Sequence, residues 1–168
     1  MRFEETQKFR QPWLWVLLIF VGFMTVGIFG IGVYVQVIRG HWFGNDPMNN
    51  TGLIITFLLV SALMSAIFLL FWFVKLITVI DKSGISYRFF PFHSKDRRID
   101  WSLIEKYEVV KYNPISDYGG WGIRYGRNGK AYNVSGDKGL KLRLKRGNHI
   151  LIGTQKPREL EDFLKKMR

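Results

Sequence analysis

The chain contains no cysteine among its 168 residues, which excludes disulfides, thiolate catalysis and zinc sites with thiolate ligands. Lack of disulfides suits a reducing cytosol. Histidine is scarce as well, at positions 41, 93 and 149 only. Spacing assembles no Ser/His/Asp arrangement and no paired carboxylates from these residues, so neither an enzyme nor a cofactor is expected. Acids are the minority charge, 13 Asp/Glu against 25 Lys/Arg, for a net charge of +12. Two long stretches, Trp13–Ile38 and Leu53–Val74, hold no charge and no proline at all.

The second stretch, LIITFLLVSALMSAIFLLFWFV, also lacks glycine. Its 22 residues reach about 33 Å as a helix, enough to cross a bilayer core. Trp13–Ile38 is 26 residues long, and Thr25 and Gln36 are its only strongly polar side chains. That run exceeds the about 7–15 apolar residues of a signal peptide and ends in no small-residue cleavage site, so it reads as a retained span. Between the two, RGHWFGNDPMNNTG (39–52) is a turn rich in Gly, Asn and Pro, which predicts an antiparallel hairpin.

Basic residues near the helix ends orient such a hairpin. The 39–52 loop has only Arg39, the 1–12 tail has Arg2, Lys8 and Arg10, and Lys75, Lys82 and Arg88 follow the second run. Both termini are therefore expected to be cytoplasmic. Trp13, Trp15 and Trp72 mark one interface, Tyr34 and Trp42 the other. No Asp, Glu, Lys, Arg or His lies inside either run, so transport is not expected. The glycines at 22, 27, 30 and 32 form no G-x-x-x-G, whereas Ser61-x-x-x-Ser65 and Ala62-x-x-x-Ala66 offer a close-packing face, expected to serve the hairpin itself in preference to dimerisation.

From Lys75 the period changes to two. Residues 75–168 carry 21 Lys/Arg against 10 Asp/Glu, so nearly all the net charge lies there. Strands are predicted at Leu76–Ile80, Ile85–Phe92, from Arg97 to Asp100, and Glu105–Tyr112, with a helical turn at Trp101–Ile104. A loop, NPISDYGG (113–120), precedes two arms, Trp121–Arg127 and Lys130–Val134, that flank the hairpin signal Asn128-Gly129. In the next hairpin Leu140, Leu142 and Leu144 face inward, with Lys141, Arg143 and Lys145 outward. Gly147-Asn148 turns the chain into His149–Gly153. PRELEDFLKKM (157–167) is an amphipathic helix with Pro first, acids early, lysines late, and Leu160, Phe163, Leu164 and Met167 on one face. The whole reads as seven or eight antiparallel strands, a small barrel or bent sheet, capped by a C-terminal helix.

The runs DKSGISYRFFPF and RRIDWSLI, the late GLKLRLKRGNHILIG and the ending PRELEDFL resemble bacterial PH-like domains. The resemblance covers about Leu76–Arg168, and the preceding hairpin is similar to that of small two-span bacterial membrane proteins carrying such a domain. It implies a PH-like fold at 75–168. PH-like folds bind lipids, peptides or proteins, so the fold alone does not choose among these.

Two constellations could carry binding. Arg124, Lys141, Arg143 and Lys145 could form a basic face attracted to anionic lipid headgroups; alternation on a half-exposed sheet produces such a row without function. Tyr112, Asn113, Asp117, Tyr118 and Trp121 concentrate aromatic and polar side chains in a loop, where binding residues gather; the plain alternative is a tight connection whose aromatics cover the core. Positive charge beside a membrane span is explained by topology, so nucleic acid is not an expected partner. The expectation is a two-span protein presenting a non-enzymatic interaction or regulatory module to a protein partner. The alternative is a module responsive to anionic lipid.

Overall fold

The computed structural model describes residues 1–126 and 129–167, so Arg127 and Asn128, which belong to the expected hairpin, and the terminal Arg168 lie outside the described residues. The chain divides into two compact units, Met1–Phe9 with Phe73–Arg168, and Arg10–Trp72.

The first unit holds two sheets. Strands β1 (Phe3–Lys8), β2 (Lys75–Asp81), β3 (Gly84–Phe90) and β4 (Arg97–Asp100) pair antiparallel in that order. The other sheet contains β5 (Ile104–Lys111), β6 (Gly122–Gly126), β7 (Gly129–Asn133), β8 (Lys138–Leu144) and β9 (His149–Gly153), in the order β5-β8-β9-β7-β6. Between β4 and β5 a 3-10 turn, Trp101–Leu103, carries the chain from one sheet to the other, and the Trp101 indole N–H donates to the Asp81 carbonyl at 2.8 Å. Apolar residues at alternate positions bury Leu76, Ile80, Ile85 and Phe89 of the first sheet with Tyr132, Leu140, Leu142 and Ile152 of the second. A short helix, α3 (Pro114–Tyr118), falls within the predicted loop, and α4 (Pro157–Met167) adds Leu160 and Leu164 to the core as its spacing predicts.

Two expectations about the strands are corrected. The strands are not all antiparallel: β7 pairs with β9 in parallel, because the β8–β9 hairpin inserts between β5 and β7. The second correction concerns the N-terminal segment, expected as a polar tail. Its FEETQK run is strand β1, with Phe3, Glu5 and Gln7 turned inward, which makes nine strands among the described residues in place of seven or eight. Gln7 Nε2 donates to the Gly153 carbonyl at 2.6 Å. The Glu5 carboxylate accepts from the Thr154 hydroxyl at 2.7 Å and from the Gln155 backbone N–H at 2.6 Å. Polar side chains at inward positions hide this strand from a hydrophobic-period reading.

In the second unit, α1 (Pro12–Val33) runs into a π-helical turn, Tyr34–Ile38, and α2 (Asn50–Phe73) returns antiparallel. Helix α2 therefore starts inside the expected turn and stops one residue before Val74. Trp15 meets Trp72 edge-on at 6.1 Å. The helices meet where α1 glycines face α2 side chains: a Cβ on Gly22 would lie 3.1 Å from Phe68, and one on Gly30 would lie 3.5 Å from Phe57. Ala62, Ser65 and Ala66 stay exposed and only Ser61 is half-buried, so most of the expected small-residue face of α2 lies outside this contact. Gln36 is buried at the turn, donating to the Met48 carbonyl at 2.6 Å and to Asn50 Oδ1 at 2.9 Å. Both helices are long and apolar enough to cross a membrane, yet only 11% and 6% of their most apolar windows are buried.

Candidate functional site

The expected basic row does not assemble as one patch. Lys141 lies at the middle of β8 opposite Glu108, and Arg143 lies opposite Lys106. Arg143 Nε pairs with Glu105 at 3.1 Å and Lys106 with Glu108 at 3.0 Å, so acids from β5 interleave the cations. Of these two pairs only Arg143–Glu105 crosses between strands, the other lying within β5, and such an opposite-charge pair contributes about 0.2–1 kcal/mol to the sheet. Lys145 sits in the turn beyond β8, where its backbone N–H donates to the Leu103 carbonyl at 3.0 Å. Arg124 is on β6, three strands from β8 and so about 14 Å away, with Nε bonded to the Trp121 carbonyl at 2.9 Å.

The 112–121 segment folds tightly onto the outer face of the five-stranded sheet. Asn113 caps α3, its Oδ1 accepting from the N–H groups of Ile115 and Ser116, both at 3.1 Å, while Asp117 Oδ2 accepts from Asn113 N–H at 2.8 Å. This is a reciprocal cap of the kind that starts helices. Gly119 ends the helix at φ 72°, a left-handed conformation suited to glycine. Tyr112 and Tyr118 are buried against Ala131 and Leu151, forming a second small core. Burial pushes the Tyr112 phenol up to about 12, although its oxygen accepts from Asn133 Nδ2 at 3.0 Å. Burial, then the nearby Asp117, raises the Tyr118 phenol too. The Trp121 indole donates to the Gly136 carbonyl at 3.1 Å.

Of the five expected loop residues, Tyr112, Asn113 and Tyr118 thus build the segment, and Asp117 both braces its cap and lines a cleft. That cleft, about 660 Å³, is also lined by Ile115, Tyr118, Tyr125 and Gly126. Ile115 is 67% exposed and Tyr125 75% exposed, and sequence reasoning singled out neither as a site. An isoleucine amid the turn formers of NPISDY was the available signal. Alternation puts Tyr125 on one face with Trp121 and Ile123, and nothing in that period marks it as exposed.

A third cluster was missed entirely. At one end of the space between the sheets, the tilted rings of Tyr87 and Tyr132 have centroids 4.7 Å apart, and the His93 ring stands edge-on to Tyr132 at 5.4 Å. Arg97 donates to the Tyr132 hydroxyl at 3.1 Å, and the Lys130 ammonium lies 4.5 Å from the Tyr125 ring centroid. Burial, then the charges of Arg97 and Lys130, lower the His93 pKa; its Nδ1 accepts from Phe89 N–H at 3.2 Å. Burial opposes the Lys130 charge, but hydrogen bonds to Tyr125 and Tyr132 outweigh it and raise its pKa. Burial and the bond to Tyr132 raise Tyr87 as well. Among the described residues, no group of His, Asp or Glu is arranged to hold a metal ion. No protein-family model matches the chain, and comparison with curated proteins finds no significant match.

Proposed function

We propose that this is a two-span protein of the bacterial inner membrane that presents a PH-like, non-enzymatic module to a protein partner on the cytoplasmic side. Two apolar helices with almost no protein cover support a lipid environment, since exposed apolar surface on that scale is costly in water. The pairing of β1 with β2 supports a hairpin, because it requires the segments before α1 and after α2 to lie on the same side of the membrane. The excess of basic residues beside those segments favours the cytoplasm. Two sheets around one core with a C-terminal helix support the PH-like assignment.

The observation that carries the interaction reading is the cleft between Ile115 and Tyr125. Two exposed apolar side chains flank Asp117 on a segment held by the Asn113 cap and the buried Tyr118. A partner would place an apolar side chain between them and a basic group at Asp117. A photo-crosslinking residue at Ile115 in the full-length chain, in its native membrane, tests this. Protein adducts that resist high salt and disappear with Tyr125→Ser are expected, while the same probe at Lys141 gives none. Equal adducts at Lys141, or adducts to lipid alone, would overturn the reading.

A further inference from the structure

We infer that the corner of the β unit around the β3–β4 connection docks on the anionic headgroups of the membrane; this rests on the spanning reading above. The register puts Lys8, Lys75 and Phe90 side by side at one end of the four-stranded sheet. Both chain connections to the apolar helices leave from that end: Lys75 follows Phe73 by two residues, and Lys8 precedes Pro12 by four. At no more than about 3.6 Å per residue, these tethers reach only about 7 and 14 Å. The β3–β4 connection therefore stays close to the headgroup layer.

Its chemistry suits that location. Phe90 is 39% and Phe92 59% exposed, on either side of Pro91, whereas the turn at the far end of β2 and β3 is the polar Asp81–Gly84. Aromatic side chains are enriched at the membrane interface. Lys75 lies over the Phe90 ring at 5.6 Å, Lys95 is in the connection, and Arg97 and Lys130 meet at Tyr132. Among the described residues, none of these four cations forms an ion pair with a carboxylate. Asp96, the acid in the connection, is taken by Arg88 at 3.2 Å. Uncompensated cations beside exposed phenyl groups match a surface of anionic lipid, in contrast to the acid-balanced row on β8.

The cysteine-free chain allows a direct test with single-cysteine probes. Full-length protein carrying a fluorophore at Ser94→Cys or, at the opposite end of the sheet, at Lys82→Cys is reconstituted into two kinds of vesicle. One is phosphatidylcholine alone, the other phosphatidylcholine with one quarter phosphatidylglycerol, and both contain headgroup-labelled nitroxide lipid. Quenching at Ser94 but not Lys82, stronger with phosphatidylglycerol, is the expected result. Arg97→Gln with Lys130→Gln should lower the docked-to-undocked ratio about 30-fold, given the attraction of each basic residue to an anionic surface. Phe92→Ser, at an exposed position, should reduce the Ser94 quenching while the β-sheet circular dichroism is retained.

Equal quenching at Ser94 and Lys82 overturns the proposal. So does a Ser94 response to inorganic phosphate in pure phosphatidylcholine that matches the response to phosphatidylglycerol, which would make the corner a small-anion site. Release of the chain from membranes by alkaline carbonate overturns the spanning reading and the docking with it. Retention with an unquenched Ser94 probe overturns the docking alone.

Discussion

Replacing Glu5 by Ala tests whether the first residues of the chain are part of the β unit. Glu5 is 4% exposed, and its carboxylate joins β1 to the segment between β9 and α4 through Thr154 and Gln155. Hydrogen bonds to a charged group contribute about 1.5–3 kcal/mol each, and truncation leaves two donors without their acceptor. Removing a buried carboxylate also relieves its desolvation, which brings the expected loss to the low end, about 3 kcal/mol. With an m-value of about 1.5 kcal/mol/M, the urea midpoint should fall by about 2 M. Glu5→Gln keeps an acceptor and should lose about half as much. The assay is urea unfolding of the full chain in mild detergent, followed by β-sheet circular dichroism. Glu5→Ala and Thr154→Val should be coupled by at least about 1 kcal/mol in a double-mutant cycle. A midpoint within about 0.3 M of the parent would refute the claim that this strand holds the unit together.

Two other predictions concern the neighbouring clusters. The folded pKa of His93 is depressed below the unfolded value, so the unfolded chain binds the extra proton. Stability should be full above pH of about 6.5 and fall as pH drops toward the folded pKa, with a slope of at most about 1.4 kcal/mol per pH unit. Thermal unfolding between pH 7 and about 5 should show this slope in the parent and a smaller one in His93→Asn; identical slopes would refute the assignment. At Gly126, a Cβ would run into the Asp117 carbonyl oxygen and lie 2.9 Å from Tyr118 Cδ1. Gly126→Ala should therefore push α3 off the sheet at a cost of about 1–3 kcal/mol. Hydrogen exchange should accelerate at Asp117 and Gly119 while β8 and β9 stay protected, and an unchanged pattern would contradict the close packing.

Much of the architecture was legible from local chemistry. The DKSG turn, the alternation of Leu140, Leu142 and Leu144 with Lys141 and Arg143, and the PRELEDFLKKM helix lie where turn residues and hydrophobic periods put them. The site was less legible. For Tyr112 and Tyr118 the sequence left open a binding loop or a tight connection covering the core, and they build a second core on the outer sheet face. Lys141 and Arg143 looked like a basic surface, but the pairing of β8 with β5 brings Glu105 and Glu108 among them. Arg97 and Lys130 carried no signal, since they are far apart in sequence and meet only at Tyr132.

Two long uncharged helices, the connection between them, the position of most strands and the amphipathic C-terminal helix could all be read along the chain. These follow from composition and period within one segment. That Phe3–Lys8 pairs with β2, that β7 lies parallel to β9, and which charges face one another emerge from the folded arrangement alone. Strand partners and cross-strand neighbours depend on non-local contacts. A buried Glu5 or Gln7 is stable only because residues distant in the chain supply its hydrogen bonds.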